Sequence, residues 1–98
     1  VSSIHAEQPG ARAAAYAASK AAMEALILAL AQEVKSKGVT ANVVVVRTID
    51  TPEARRAAPK ANTAGWTTPE EIAAAMLYLC SDEAGAINGA RIPLYGRA

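Results

Sequence analysis

Residues 23–46 read MEALILALAQEVKSKGVTANVVVV, and this stretch decides the fold. Its first part has no Pro or Gly and is built from good helix formers. Met23, Leu26, Ile27, Leu30 and Val34 recur at helical spacing, which predicts one apolar face. Lys35 and Lys37 suit the negative end of the helix dipole, and Gly38 supplies a left-handed stop. Thr40 to Val46 then reads as a strand. Four consecutive valines without alternation predict a strand covered on both faces, as in a parallel sheet.

Upstream, the helix extends back to about Arg12, after the turn signal Pro9-Gly10. Val1-Ser2-Ser3 reads as the end of a strand entering a loop. Downstream, Arg47 to Trp66 has two prolines and no clear period. It reads as a long loop with a short helix around Glu53 to Ala58, a length often used for function. Thr68-Pro69-Glu70-Glu71 is a helix start, with Thr68 as cap and Glu71 completing a capping box. Ile72, Ala75, Met76 and Leu79 continue on one face to about Ser81 or Asp82. Asn88-Gly89 is a turn, and Arg91-Ile92-Pro93-Leu94-Tyr95 is a short strand. Pro93 cannot donate a backbone hydrogen bond, which predicts an edge position. The order is a βαβαβ unit, half of a doubly wound α/β sheet.

The chain has 98 residues, enough for one small domain or part of a larger one. Hydrophobic residues reach 52%, but about a quarter of the chain is alanine, and aromatic residues are only 4%. Such a core buries little area per residue, so a solitary monomer would be weakly stable. The net charge of +1 gives no electrostatic reason to expect nucleic acid or an anionic membrane as partner. One Cys and one His cannot make an ordinary structural zinc site, and Cys80 has no disulfide partner. No apolar run is expected to reach the roughly 18 residues of a membrane span, and no signal peptide is expected. The expected setting is soluble and cytoplasmic. The start at Val1, without an initiator Met, is expected of a fragment.

Tyr16 and Lys20 are four apart on the first helix and share a face. A phenol is a weak acid at neutral pH, and a neighbouring ammonium favours the phenolate. The pair alone carries little information. Its surroundings carry more. Ser3 lies thirteen residues before Tyr16, at the mouth of a strand, and Asn42 opens the valine run. With Tyr16-Ala17-Ala18-Ser19-Lys20, Thr51, Thr68-Pro69-Glu70-Glu71, Leu79-Cys80-Ser81-Asp82 and Asn88-Gly89, the chain resembles the C-terminal half of the short-chain dehydrogenase/reductase family.

The resemblance implies a Rossmann-like domain, of which residues 1–98 would be one partial domain. It implies an NAD(P)-dependent oxidoreductase that interconverts a small-molecule carbonyl and alcohol. Tyr16 would be the general acid or base. Lys20 would favour its phenolate and hold the nicotinamide ribose. Ser3 would hydrogen-bond the substrate oxygen, with Ser2 as the fallback. Ile49 and Thr51 match positions that contact the nicotinamide amide and the phosphates. Family members usually carry Pro-Gly where this chain has Val46-Arg47, and Asp-Gly-Gly where it has Tyr95-Gly96-Arg97. The glycine loop that binds pyrophosphate belongs to the family's N-terminal half, so NAD or NADP would bind the full-length parent and not this chain alone.

The remaining candidates have plainer readings. His5 is a loop residue near the substrate mouth rather than half of a hydrolase pair. Cys80 is expected to be small, buried and apolar, Trp66 to pack, and Arg55-Arg56 to be solvated. Homo-oligomer formation, or pairing with the missing N-terminal half, is expected through a Met23/Leu26/Leu30 face and an Ile72/Met76/Leu79 face. The alternative function is a non-catalytic oligomerisation or interaction fragment.

Overall fold

The structure is a computed structural model that describes residues 1–96. Strand β1 (Ser2–Ser3) passes through a 3₁₀ turn, Ile4–Ala6, to helix α1 (Ala14–Val34). Strand β2 (Val43–Val46) follows, then the short β3 (Thr48–Ile49), helix α2 (Pro52–Ala57) and β4 (Trp66–Thr67). Helix α3 (Pro69–Leu79) and strand β5 (Arg91–Leu94) complete the described residues.

β1, β2 and β5 form a parallel sheet in that order, with Ser3 opposite Val46 and Val46 opposite Leu94. The central strand is the valine run, buried throughout, and Pro93 lies on the outer strand as expected. Val44 and Val46 pack with Ile72 of α3, joined by Leu79 and Leu94. Side chains alternate along a strand, so Val43 and Val45 face the other way, toward α1. Helices on both faces of a parallel sheet are the doubly wound arrangement that the order of elements predicts.

The local signals hold. α1 ends through a 3₁₀ turn at Gly38, whose φ is +72°. Thr68 accepts from the Glu71 amide while the Glu71 carboxylate accepts from the Thr68 amide, so the capping box is complete. The loop after β2 is more ordered than its sequence suggests. β3 and β4 pair in parallel, and the Thr67 hydroxyl donates to the Leu94 carbonyl at 2.6 Å, pinning the small sheet to the large one. Two-residue strands leave no alternation to read, which is why the sequence hides them.

One expected open face is found and two expectations are corrected. The face of α1 that meets the sheet carries Ala17, Glu24 and Ala31, while Leu26 and Leu30 are exposed. Small alanines let the helix approach the sheet closely, and the leucines are left outside. On α3, Ile72 and Leu79 belong to the core, so only Met76 of the expected interface face is open, beside Leu77 and Tyr78. Cys80 is exposed, because it is the C-cap of α3, beyond its last packed turn.

Against expectation, the segment Ala14–Lys37 is long and apolar enough to cross a membrane by length and composition, because single charged residues interrupt its apolar runs without lowering its mean hydropathy far. Its inner side is nevertheless polar where it matters. Glu24 is buried there and bonded to both outer strands of the sheet.

Candidate active site

β1, β2 and β5 all end at one edge of the sheet, and in open α/β sheets that carboxyl edge is where ligands bind. Ser3 is the last residue of β1 and is 3% exposed. Its backbone is extended, and its Oγ accepts from the His5 amide at 3.2 Å, capping the 3₁₀ turn. A hydroxyl that accepts through its oxygen still has its proton to donate.

Tyr16 stands in the first turn of α1, which packs on that 3₁₀ turn. Its ring meets the His5 imidazole edge-on, with centroids 6.3 Å apart at 78°. His5 is the residue whose amide Ser3 holds, so Tyr16 lies on the Ser3 side of its helix. Tyr16 is 48% exposed, open to a ligand at the rim. One turn on, the Lys20 Nζ lies 5.8 Å from the centre of the Tyr16 ring and donates to the Val1 carbonyl at 3.2 Å. Its ammonium therefore stands over the ring and keeps donors for a second acceptor.

Ile49 and Thr51 leave the same sheet edge through the segment after β2. Ile49 is exposed at the end of β3, while the Thr51 hydroxyl accepts from the Ala54 amide and caps α2. Next to them the Arg47 guanidinium stacks 4.9 Å from the centre of the Tyr95 ring. A Cβ on Gly65 would lie 3.2 Å from the Arg47 side chain. The chain thus lays a cationic side chain across its own C-terminal strand end.

Sequence reasoning missed the most heavily bonded group near the site. The Ser2 hydroxyl donates to Glu24, and the Arg91 guanidinium donates to the same carboxylate. Arg91 also reaches Glu7 at 3.2 Å. The Arg91 hydrogen bond holds the Glu24 carboxyl below its ordinary value, against the opposing effect of burial. Ser2 is thereby committed to α1. The signal was present as a lone acid inside an otherwise apolar helix face, two turns after Tyr16. His5 adds a second unnoticed feature, a buried Nδ1 with no hydrogen-bond partner among the described residues.

The arrangement sets a buried hydroxyl at the carboxyl edge of a parallel sheet, joined through His5 to an open phenol with an ammonium over its ring. Comparison with known proteins agrees with this class. Residues 1–96 match the family model described as enoyl-(acyl carrier protein) reductase. The acetoacetyl-CoA reductase of Allochromatium vinosum is 36% identical across 98% of this chain and 42% of its own length. The structure of an acetoin dehydrogenase from Salmonella typhimurium superposes with a TM-score of 0.81 at 27% identity, covering 98% of this chain and 40% of that one. An NADPH-bound short-chain oxidoreductase from Pseudomonas aeruginosa gives 0.79 at 25% identity, covering 94% and 41%. The chain belongs to the short-chain dehydrogenase/reductase family. It spans about two-fifths of the length of the relatives it matches.

Proposed function

We propose that the protein carrying this chain is an NAD(P)-dependent oxidoreductase that interconverts a carbonyl and an alcohol. Residues 1–98 are the C-terminal catalytic part of its Rossmann-like domain. The observation that supports this reading is the chain of contacts from Ser3 to His5, from His5 to the Tyr16 ring and from that ring to Lys20.

Each residue has a distinct task. The Ser3 hydroxyl, oriented by the His5 amide, donates to the substrate oxygen and stabilises charge that develops there. Tyr16 gives its phenolic proton to that oxygen in reduction and takes it back in oxidation. The Lys20 ammonium, over the Tyr16 ring, offers donors to ribose hydroxyls. The Ser2 hydroxyl, held by Glu24, is not available for the Ser3 task.

The residues fit the nicotinamide end of the cofactor. Tyr16 is open at the rim, the Lys20 ammonium lies beside it, and Ile49 is exposed on the adjoining segment. Lys20 and Tyr16 would meet the ribose, and Ile49 and Thr51 the nicotinamide amide and the phosphates. The cofactor supplies or accepts the hydride. Two relatives are named for acetoacetyl-CoA and acetoin, and a third holds NADPH. A small carbonyl compound as substrate follows from that pattern.

The proposal carries a cytoplasmic location and a homo-oligomeric state, with neither nucleic acid nor membrane as partner. Exposed Leu26 and Leu30 on α1 and Leu77 on α3 support association. The same exposed leucines favour a second reading for the separated chain, an interaction fragment without activity.

The test is NAD(P)H oxidation by the full-length protein with acetoacetyl-CoA and acetoin, beside a Ser3→Ala variant. Turnover by the wild type that drops at least about tenfold in the variant is expected. Equal rates in both proteins would refute the serine role.

A further inference from the structure

Glu24 has no role in the chemistry above, yet it is 6% exposed in the middle of α1 and accepts from both Ser2 and Arg91. Strand register explains its reach. Ser2 is opposite Val45, and Arg91 is opposite Val43. Residues two apart on a strand share a face, so Ser2 and Arg91 flank the central strand on the side of α1. From above that strand, Glu24 grips β1 through Ser2 and β5 through Arg91.

The same network brackets the candidate site. Ser2 is the residue before Ser3, and Glu7 is the residue that closes the 3₁₀ turn Ile4–Ala6. Ser2 is held by Glu24, and Glu7 by Arg91. The segment from Ser3 to Ala6 is therefore clamped at both ends. On the helix side, Tyr16, Lys20 and Glu24 recur every four residues along one face. Lys20 and Glu24 both bond to β1, one at the Val1 carbonyl and the other at the Ser2 hydroxyl.

We propose that Glu24, braced by Arg91, is a positioning residue that sets the Ser3 hydroxyl against Tyr16. The proposal rests on the reading of Ser3 and Tyr16 given above. Glu24 touches neither substrate nor cofactor. It fixes the strand end that presents one catalytic group to the helix that presents the other. An ionised carboxylate suits this task because it accepts from Ser2 and from two guanidinium nitrogens at once. Such geometry matters because a misplacement of about 1 Å can cost about a hundredfold in rate.

The experiment uses the full-length protein with NADPH and acetoacetyl-CoA, in wild type, Glu24→Gln, Glu24→Leu, Ser2→Ala and Tyr16→Phe. Glu24→Gln keeps an acceptor for Ser2 and loses the charge facing Arg91. Glu24→Leu loses both. The expected result is a fall in kcat of about tenfold for Glu24→Gln and about a hundredfold for Glu24→Leu, with KM for NADPH within about twofold of wild type. Ser2→Ala covers the case in which the Glu24 variants do not fold, and its kcat should also fall.

Wild-type kcat in the folded Glu24 and Ser2 variants, with Tyr16→Phe inactive, overturns the proposal and leaves the site reading standing. An active Tyr16→Phe instead overturns the site reading itself. Amide hydrogen exchange of His5, whose N–H is held by Ser3, decides the matter independently of any substrate. Its protection should fall in Ser2→Ala while that of α3 is unchanged, and unchanged protection at His5 overturns the clamp.

Discussion

The ion pair between Glu24 and Arg91 should contribute measurably to stability, in a way that acid removes. The perturbation is a double-mutant cycle of Glu24→Gln, Arg91→Met and both together. The Glu24 side chain is 9% exposed and that of Arg91 is 31% exposed, so the pair lies between the buried and surface cases. Breaking a buried pair costs about 3–5 kcal/mol, whereas an exposed pair contributes about 0.2–1 kcal/mol. Two guanidinium bonds to one carboxylate, partly wet at one end, place the coupling at about 2 kcal/mol. For a domain of this size that corresponds to about 10 °C in Tm.

The pH dependence follows from the direction of the shift. Arg91 holds the folded Glu24 carboxyl below its ordinary value of 4.5, so the folded state binds that proton less tightly than the unfolded chain. The contribution is complete above that ordinary value and is lost as pH falls through the depressed folded value. The assay is urea unfolding at pH 7 and near pH 3, at one fixed protein concentration because association also shifts apparent stability. A coupling under about 0.5 kcal/mol at pH 7, or one that persists undiminished in acid, would refute this account.

Three further outcomes are expected. Thr68→Ala removes the hydroxyl that accepts from the Glu71 amide and should cost about 1 kcal/mol in urea unfolding, while Thr68→Ser should cost much less. The isolated 98-residue chain should bind NADPH weakly or not at all in calorimetry, since the glycine loop that cradles pyrophosphate in this family lies outside it, and micromolar affinity would contradict this. Light scattering at tens of micromolar should show the chain associated, and replacing exposed Leu26 and Leu30 by Glu should shift it toward smaller species.

The parts of the fold legible in the sequence were those with redundant local signals. Gly38 after Lys37 marked the end of α1, Thr68 and Glu71 the start of α3, and the four valines a doubly covered strand. Orientation around α1 was legible on one side only. Met23, Leu26 and Leu30 mark an apolar face, of which Leu26 and Leu30 stand exposed as an association face requires, but nothing in the spacing singled out Ala17, Glu24 and Ala31 as the side that packs on the sheet. Close helix approach favours small residues, and a buried acid is stable there only because Ser2 and Arg91 arrive from distant strands. No local pattern encodes a bond between residues 24 and 91. Cys80 was misplaced for a related reason, since residue type gives no direction at a helix end.

The candidate site was legible to a different depth. The Ser3, Tyr16 and Lys20 spacing pointed to a common rim, and the contact of Tyr16 with His5, beside Ser3, is consistent with it. The Lys20 ammonium over the ring rather than beside a carboxylate, and Arg47 laid on Tyr95, depend on tertiary packing that spacing does not express.

The central claim is that the Tyr16 phenol moves the proton. Its most direct test is a single-turnover measurement of NADPH oxidation by the full-length protein, wild type against Tyr16→Phe, at saturating acetoacetyl-CoA. Loss of a positioned proton donor should slow that step by about 10²–10⁴-fold while leaving NADPH affinity close to wild type. An undiminished rate in the phenylalanine variant would contradict the account.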